Sequence, residues 1–227
     1  MNTLIVFVKA PTPGKVKTRL SPPLSPDQAA NLYAAFVKDT LQTANKVSEA
    51  RVEIAYDPGD TVAELNWIDP PTPPPFFLQQ GADLGARLTH AFTLAFENGS
   101  RKIIVIGSDT PHLDLSILES AFVILDQKEA VLGPAEDGGY YLIGLRQPNA
   151  FLFNNVPWSS DRVFLETLGR IQRSGLSFGL ITPQSDIDTV ADLKRLMERL
   201  DASATPTCST TRRVLKNLQL ELYPAQV

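Results

Sequence analysis

Two uninterrupted apolar runs, Leu4-Ile5-Val6-Phe7-Val8 and Ile103-Ile104-Val105-Ile106, constrain this chain more than any other feature. Each is too short for a helix and lacks the alternation of a half-solvated strand, so each predicts a strand buried on both faces of a parallel sheet. Both runs stop abruptly at polar, turn-rich segments: Lys9-Ala-Pro-Thr-Pro-Gly-Lys-Val-Lys-Thr-Arg-Leu20 after the first, Gly107-Ser-Asp-Thr-Pro111 after the second. In open α/β sheets ligands bind beyond the carboxyl ends of the strands, which makes these two loops the first candidates for a site.

The remaining segments alternate between helical and extended patterns. Ser25, Pro26 and Gln28 form an N-terminal capping signature, and Ala29, Leu32, Phe36, Leu41 and Ala44 then recur at helical spacing to about Asn45. Arg51 to Tyr56 reads as a second strand, ended by Asp57-Pro58-Gly59. The prolines from Pro70 to Pro75 predict a stiff surface connection, because they lack donors and fix φ. Phe76 to Leu78 is a short strand. Asp83 caps a helix whose stripe is Leu84, Leu88, Ala91, Phe92 and Ala95, and another helix runs from Asp114 to about Leu125. Ala130 to Ala135 and Tyr140 to Leu145 flank Glu136-Asp137-Gly138-Gly139, where Asp-Gly is a hairpin signal. A helix after Ser160, a core strand over Phe178 to Ile181 and a helix through Leu200 complete the pattern. The expected fold class is α/β, a single domain over residues 1–202 with a mostly parallel sheet and helices on both faces. Residues 203–227 are expected to form a polar linker, Ser203 to Thr211, and a short C-terminal helix.

Composition narrows the partners. A formal charge of −4, from 25 acidic and 21 basic residues, gives no general attraction to nucleic acid or to an anionic membrane, so any basic site is local. The one cysteine, Cys208, excludes an internal disulfide and a cysteine-rich metal site. No apolar stretch reaches membrane-spanning length, and a cytoplasmic location is expected. The pattern is silent on oligomeric state.

Chemistry-bearing residues gather at three strand ends. The first loop carries Lys9, Lys15, Lys17 and Arg19, a cationic set suited to phosphates; Lys17 and Arg19 would point the same way if that part were extended. Asp109 follows the most apolar strand, and Asp186 and Asp188 follow the last one. An unpaired carboxylate cannot stay in an apolar layer, so these aspartates must meet water, a cation or a donor. A divalent ion shared by carboxylates and a diphosphate would meet both demands, although Asp109 also suits a turn and Asp188 a helix N-cap. Arg87, in the first turn of its helix, opposes the helix dipole but suits a diphosphate. Trp158 suits stacking on a sugar or base, or packing at a helix entrance. His90 and His112 lack ligand spacing and are assigned to no metal.

Read in order, Phe7 to Gly14 with Lys17-Thr-Arg-Leu20, Gly81 to Leu88, Gly107 to Pro111, Gly133 to Gly144, Pro157-Trp-Ser159 and Asp186-Ile-Asp-Thr189 carry a resemblance. They resemble a bacterial family of nucleotide-diphospho-sugar-transferase fold, catalogued as a domain of unknown function and also labelled an arsenosugar-biosynthesis-type glycosyltransferase. The resemblance covers about Leu4 to Leu200 and implies a GT-A-like Rossmannoid fold. It implies a metal-dependent transferase using a nucleotide-sugar or nucleoside triphosphate and a small-molecule acceptor, with Mg2+ or Mn2+ as cofactor. By the same resemblance Lys9, Lys17 and Arg19 meet the nucleotide phosphates and Asp109 and Asp188 hold the metal; Gly14 and Arg87 are further candidates for the nucleotide, and Glu136, Gly138, Gly139 and Trp158 for the substrate. Asp137 is the candidate base for the acceptor proton. Glycosyl transfer is the first expectation. Nucleotidyl transfer to a phosphorylated small molecule, in the manner of related guanylyltransferases, stays open, as does a nucleotide-binding module without turnover. Two departures bear on this choice: the metal strand carries one aspartate where glycosyltransferases often have Asp-x-Asp, and the first loop carries two prolines and one glycine where nucleotidyltransferases are glycine-rich.

Overall fold

The computed structural model describes residues 1–60, 68, 75–202 and 207–222, the last four of these by backbone alone. Strands β1 (Asn2–Val8), β2 (Ala50–Tyr56), β3 (Phe76–Leu78), β4 (Lys102–Ile106), β5 (Ala130–Pro134), β6 (Tyr140–Leu145) and β7 (Phe178–Leu180) join into one sheet. Their spatial order is β3-β2-β1-β4-β6-β5-β7. The central strand β1 pairs in parallel with β2 and β4, β3 extends the parallel ladder beyond β2, and β7 runs parallel to β5. β6 alone is reversed, antiparallel to β4 on one side and β5 on the other. The expected α/β domain with a mostly parallel sheet is therefore what the chain forms.

Helices α1 (Pro26–Ala44), α2 (Leu84–Glu97), α3 (Leu115–Gln127), α4 (Val163–Arg173), α5 (Val190–Ala202) and α6 (Ser209–Leu222) cover both faces. Alternate residues of each strand point to opposite faces. Leu4, Val6, Ile104 and Ile106 accordingly pack with Phe36 of α1, Leu118 of α3, Leu193 of α5 and Leu215 of α6 in one core cluster. Ile5, Ile103 and Val105 pack in the other with Leu88 and Phe92 of α2 and Ile171 of α4.

Local capping chemistry explains where the helices begin. Ser25 and Gln28 form the reciprocal box at α1, and Asp83 accepts from the Ala86 amide at α2. At α5 the cap belongs to Thr189 and Asp192, not to Asp188: the Asp192 carboxylate accepts from the Thr189 amide while Thr189 Oγ1 accepts from the Asp192 amide. The N-terminus of α6 is met by a buried carboxylate of α1, Asp39, which accepts from the amides of Thr210 and Thr211.

Three expectations need correction. The run after Ser177 is an edge strand, with Leu180 half exposed, because an apolar run does not say how many neighbours it will have. Leu84, expected in the buried stripe of α2, is 42% exposed, since the first turn of that helix stands at a cleft. The C-terminal helix starts at Ser209, within the expected linker, and buries Leu215 and Leu218. Cys208 is likewise buried, its thiol donating to the Pro111 carbonyl. The proline run from Pro70 to Pro74 and the linker residues 203–206 lie outside the described residues.

Candidate active site

Parallel pairing places the carboxyl ends of β1, β2, β3 and β4 on one side, and the reversal of β6 brings its first residues, Tyr140 and Tyr141, to that same side. A cleft of about 520 Å3 opens there. Lys9, Lys15, Lys17 and Arg19 line it from the loop after β1, Asp57 and Arg87 from the β2 and α2 side, and Asp109, Asp186 and Asp188 from beyond β4 and β7.

Lys17 forms the centre of the charged part. Its backbone is left-handed, with φ +47°, and leads into a 3-10 turn over Thr18–Leu20. Val16 and Leu20 on either side are buried in the core. Anchored this way the loop is not extended, and the expectation that Lys17 and Arg19 point alike fails: Arg19 is exposed, whereas the Lys17 side chain turns inward and is only 5% exposed. Its ammonium stands 5.9 Å from the centroid of the Phe36 ring. It makes ion pairs with Oδ1 of Asp109 and, at 2.8 Å, with Oδ1 of Asp188. Burial alone would lower the Lys17 pKa, but the two carboxylates more than reverse that and raise it. Asp188 is free for this contact because Asp192 serves the helix cap.

Tyr33 of α1, which pattern reading passed over, ties the two strand ends together. Its buried hydroxyl accepts from the Lys9 amide at 3.0 Å and shares a 2.9 Å hydrogen bond with Ser108 Oγ. Burial raises its pKa further from the physiological range, so the phenol stays neutral. Asp60 accepts from the Ala10 amide, Thr12 donates to the Ala10 carbonyl and Lys15 to the Thr12 carbonyl. With Pro11 and Pro13 carrying no N–H, the first half of the loop spends its backbone donors on the protein itself.

The other acidic groups differ in state. The Asp186 carboxyl is pushed up to about 7, chiefly by burial; the Thr110 hydroxyl donates to it and opposes the shift, while the Asp109 and Asp137 charges add to it. Arg87 pairs with Asp57 at 2.8 Å, and Asp57 also accepts from the Gly59 amide, so the guanidinium reaches the cleft already partnered. Gln79, just beyond β3, donates to the Ala55 carbonyl at 2.8 Å and lines the cleft.

Several expected residues sit outside the cleft lining. Gly14 adopts φ +77° at the turn of the first loop. Glu136, Asp137, Gly138 and Gly139 form the β5–β6 turn, where Asp137 Oδ1 accepts from the Gly139 amide at 2.9 Å. Gly138 has φ +90°, and a Cβ built there would lie 2.1 Å from the Asp161 carbonyl oxygen, so both conformation and packing demand glycine. The Trp158 ring packs edge-on to Tyr140 and against Gly85, where an added Cβ would come within 2.9 Å of the indole nitrogen. Trp158 thus packs at the helix entrance.

Among the described residues no group of three or more His, Cys, Asp and Glu side chains is placed to hold a metal ion. Asp109 and Asp188 nevertheless converge on one cation with their side chains 46% and 42% exposed. Two half-exposed carboxylates fit the demand of Mg2+ or Mn2+ in sites where phosphate and water complete the shell. No helix among the described residues is long and apolar enough to cross a membrane.

Comparison with known proteins gives the context. The sequence profile of a family described as "Uncharacterized protein conserved in bacteria (DUF2064)" matches residues 40–160. A crystal structure from Desulfovibrio desulfuricans G20, provisionally described as a nucleotide-diphospho-sugar transferase, is 36% identical, with 95% of this chain and 94% of that one covered at a TM-score of 0.88. CMP:2-keto-3-deoxy-manno-octonic acid synthetase in complex with CTP is 11% identical, covering 88% of this chain and 98% of the other at TM-score 0.56. The manganese complex of Rv0371C from Mycobacterium tuberculosis H37Rv is 15% identical, with coverage of 87% and 98% and a TM-score of 0.51. These last two likenesses concern the fold alone. No curated protein sequence matches the chain.

Proposed function

We propose, from the premise that this chain belongs to the DUF2064 family of bacterial proteins, that it is a metal-dependent transferase acting on an activated nucleotide, and that it transfers a sugar from a nucleoside diphosphate to a small acceptor. The observation that carries the reading is the meeting of Asp109, Asp188 and Lys17 at one point of a cleft whose rim carries Lys9, Lys15 and Arg19. Asp109 and Asp188 hold Mg2+ or Mn2+; when bound, the ion supplies Lewis-acid stabilisation to the departing diphosphate. Lys9, Lys17 and Arg19 add positive charge where negative charge grows as the nucleotide leaves. Arg87 orients the nucleotide end of the cleft through its pair with Asp57. Asp137 takes the acceptor proton from the β5–β6 turn, with Glu136, Gly138 and Gly139 shaping the acceptor side and Trp158 supporting it from behind.

Sugar transfer is favoured over nucleotidyl transfer by the backbone of the first loop. The amides of Lys9, Ala10, Thr12 and Lys15 are already engaged within the protein, and two prolines remove two more donors. A triphosphate cradle needs such donors. A glycosyl donor needs only its diphosphate neutralised, which the side chains can do.

The test is mass spectrometry of reactions containing nucleotide-sugars or nucleoside triphosphates with Mn2+ or Mg2+ and candidate acceptors. The expected result is metal-stimulated release of nucleoside diphosphate from a nucleotide-sugar, abolished in Asp188→Ala, and no pyrophosphate from any triphosphate. Pyrophosphate release with a phosphorylated acceptor, without consumption of any nucleotide-sugar, would replace this reading by nucleotidyl transfer. Nucleotide binding without either product would leave a binding module.

A further inference from the structure

The Asp109 and Asp188 pair already holds a cation belonging to the chain. Lys17 reaches both carboxylates from a buried position, and its neighbours Val16 and Leu20 fix the loop from which it projects. We propose that Lys17 is the resident counter-ion of the metal carboxylates, that it excludes a bare divalent ion, and that metal enters only together with a nucleotide whose phosphates take over the ammonium. This inference rests on the assignment of Asp109 and Asp188 as metal ligands made above.

Charge balance is the first argument. Of the groups in direct contact, two carboxylates and one ammonium leave a net charge of −1. The third carboxylate of the cleft, Asp186, is engaged by the Thr110 hydroxyl. A bare divalent ion would bring three positive charges against two negative ones at contact distance. The ammonium cannot simply withdraw into the protein, because its surroundings are Phe36 and the apolar core and an unpaired charge there is costly. A diphosphate arriving with the metal supplies the missing negative charge. It also offers Lys17 a new partner on the cleft side.

Geometry is the second argument. The flexible four-carbon stem of lysine lets the ammonium swing between partners while the backbone stays fixed. Backbone anchoring is strong on both sides of the residue, through Val16 and Leu20, so exchange of partners needs only side-chain rotation. Asp188 keeps its place whichever cation it faces, because the Thr189 and Asp192 cap holds the chain beside it and the Asp188 amide also donates to Asp192. Arg19 and Lys9 are exposed and already stand on the rim. Lys17 is thus the residue that makes the site select metal–nucleotide over free metal.

By linkage, a nucleotide that removes the ammonium from the carboxylates raises metal affinity, and metal raises nucleotide affinity by the same factor. Removing the ammonium by mutation should have the first effect without any nucleotide. Free Mn2+ is therefore titrated by electron paramagnetic resonance into wild type, Lys17→Met and Lys17→Arg, with Mn2+ as the sole added ligand. Methionine has a comparable unbranched stem and bears the same backbone cost at φ +47°. The expected result is Mn2+ binding at least about tenfold tighter in Lys17→Met than in wild type, and no such gain in Lys17→Arg, which keeps the charge. Thermal melts report folding, and Lys17→Gln replaces the methionine variant if that one is unfolded. Equal, tight binding of bare Mn2+ by wild type and Lys17→Met would overturn the gate and leave the metal assignment standing. Binding by neither would overturn the gate; the same titration with a nucleoside diphosphate present then tests the Asp109–Asp188 assignment, which falls if Mn2+ still does not bind.

Discussion

Acidification should weaken this fold through His112, two residues before the N-cap of α3. The ring is 5% exposed, and neither of its nitrogens has a hydrogen-bond partner among the described residues. Burial, with a smaller contribution from the Arg199 charge, pushes the imidazole down from 6.5 to about 4. Protonation is thus disfavoured in the folded state, and between these two values the unfolded chain binds the extra proton. The stabilisation is complete above pH 6.5, falls away as pH drops toward 4, and changes no further below that. A shift of this size corresponds to a total of about 3 kcal/mol. His112→Leu should remove the effect. At pH 7.5 the variant should lie within about 1 kcal/mol of wild type, because lost packing is offset by removing two unpaired polar atoms. At pH 4.5 it should be favoured by about 2–3 kcal/mol relative to that difference. Urea unfolding followed by tryptophan fluorescence at the two pH values measures both quantities, and the comparison between proteins cancels the carboxylates they share. Parallel loss of stability in the two proteins would refute the buried, neutral imidazole.

Tyr33→Phe keeps the ring but strands the Lys9 amide and Ser108 hydroxyl, and should cost about 1–3 kcal/mol; an unchanged urea midpoint would show that those groups find other partners. Gly138→Ala combines a forbidden backbone with a Cβ placed on the Asp161 carbonyl oxygen and should cost about 3 kcal/mol or more, read as a fall in melting temperature. A melting temperature within a degree of wild type would mean that the β5–β6 turn relaxes freely.

Legibility followed distance along the chain. The caps at Ser25 and Asp83 and the Asp137-Gly138 turn depend on neighbours three or four positions away, and all three formed as the residues predict. The inward turn of Lys17 is hidden in the sequence, because a left-handed lysine has no signature of its own. The Tyr33–Ser108 bond joins residues 75 positions apart, and helical periodicity records that Tyr33 lies near a buried stripe without saying what its hydroxyl meets. That Asp188 does not cap α5 depends on the actual start of that helix at Val190, which leaves the cap to Thr189 and Asp192. The exposure of Leu84 and the edge position of β7 depend on strand order, which no local pattern carries. The convergence of Asp109 and Asp188 was readable, since charged residues directly after apolar strands of one parallel sheet have few places to go.

The packing of α6 on α1 has a consequence for how the protein is made. α1 ends at Ala44 and α6 begins at Ser209, so the ribosome must add roughly 165 residues between them, about 8–33 s of elongation at ordinary rates. Throughout that interval the outer apolar surface of α1 is synthesised but uncovered, and Asp39 waits without the amides it will cap. Nascent chains of this protein therefore carry this surface of α1 early and cover it last.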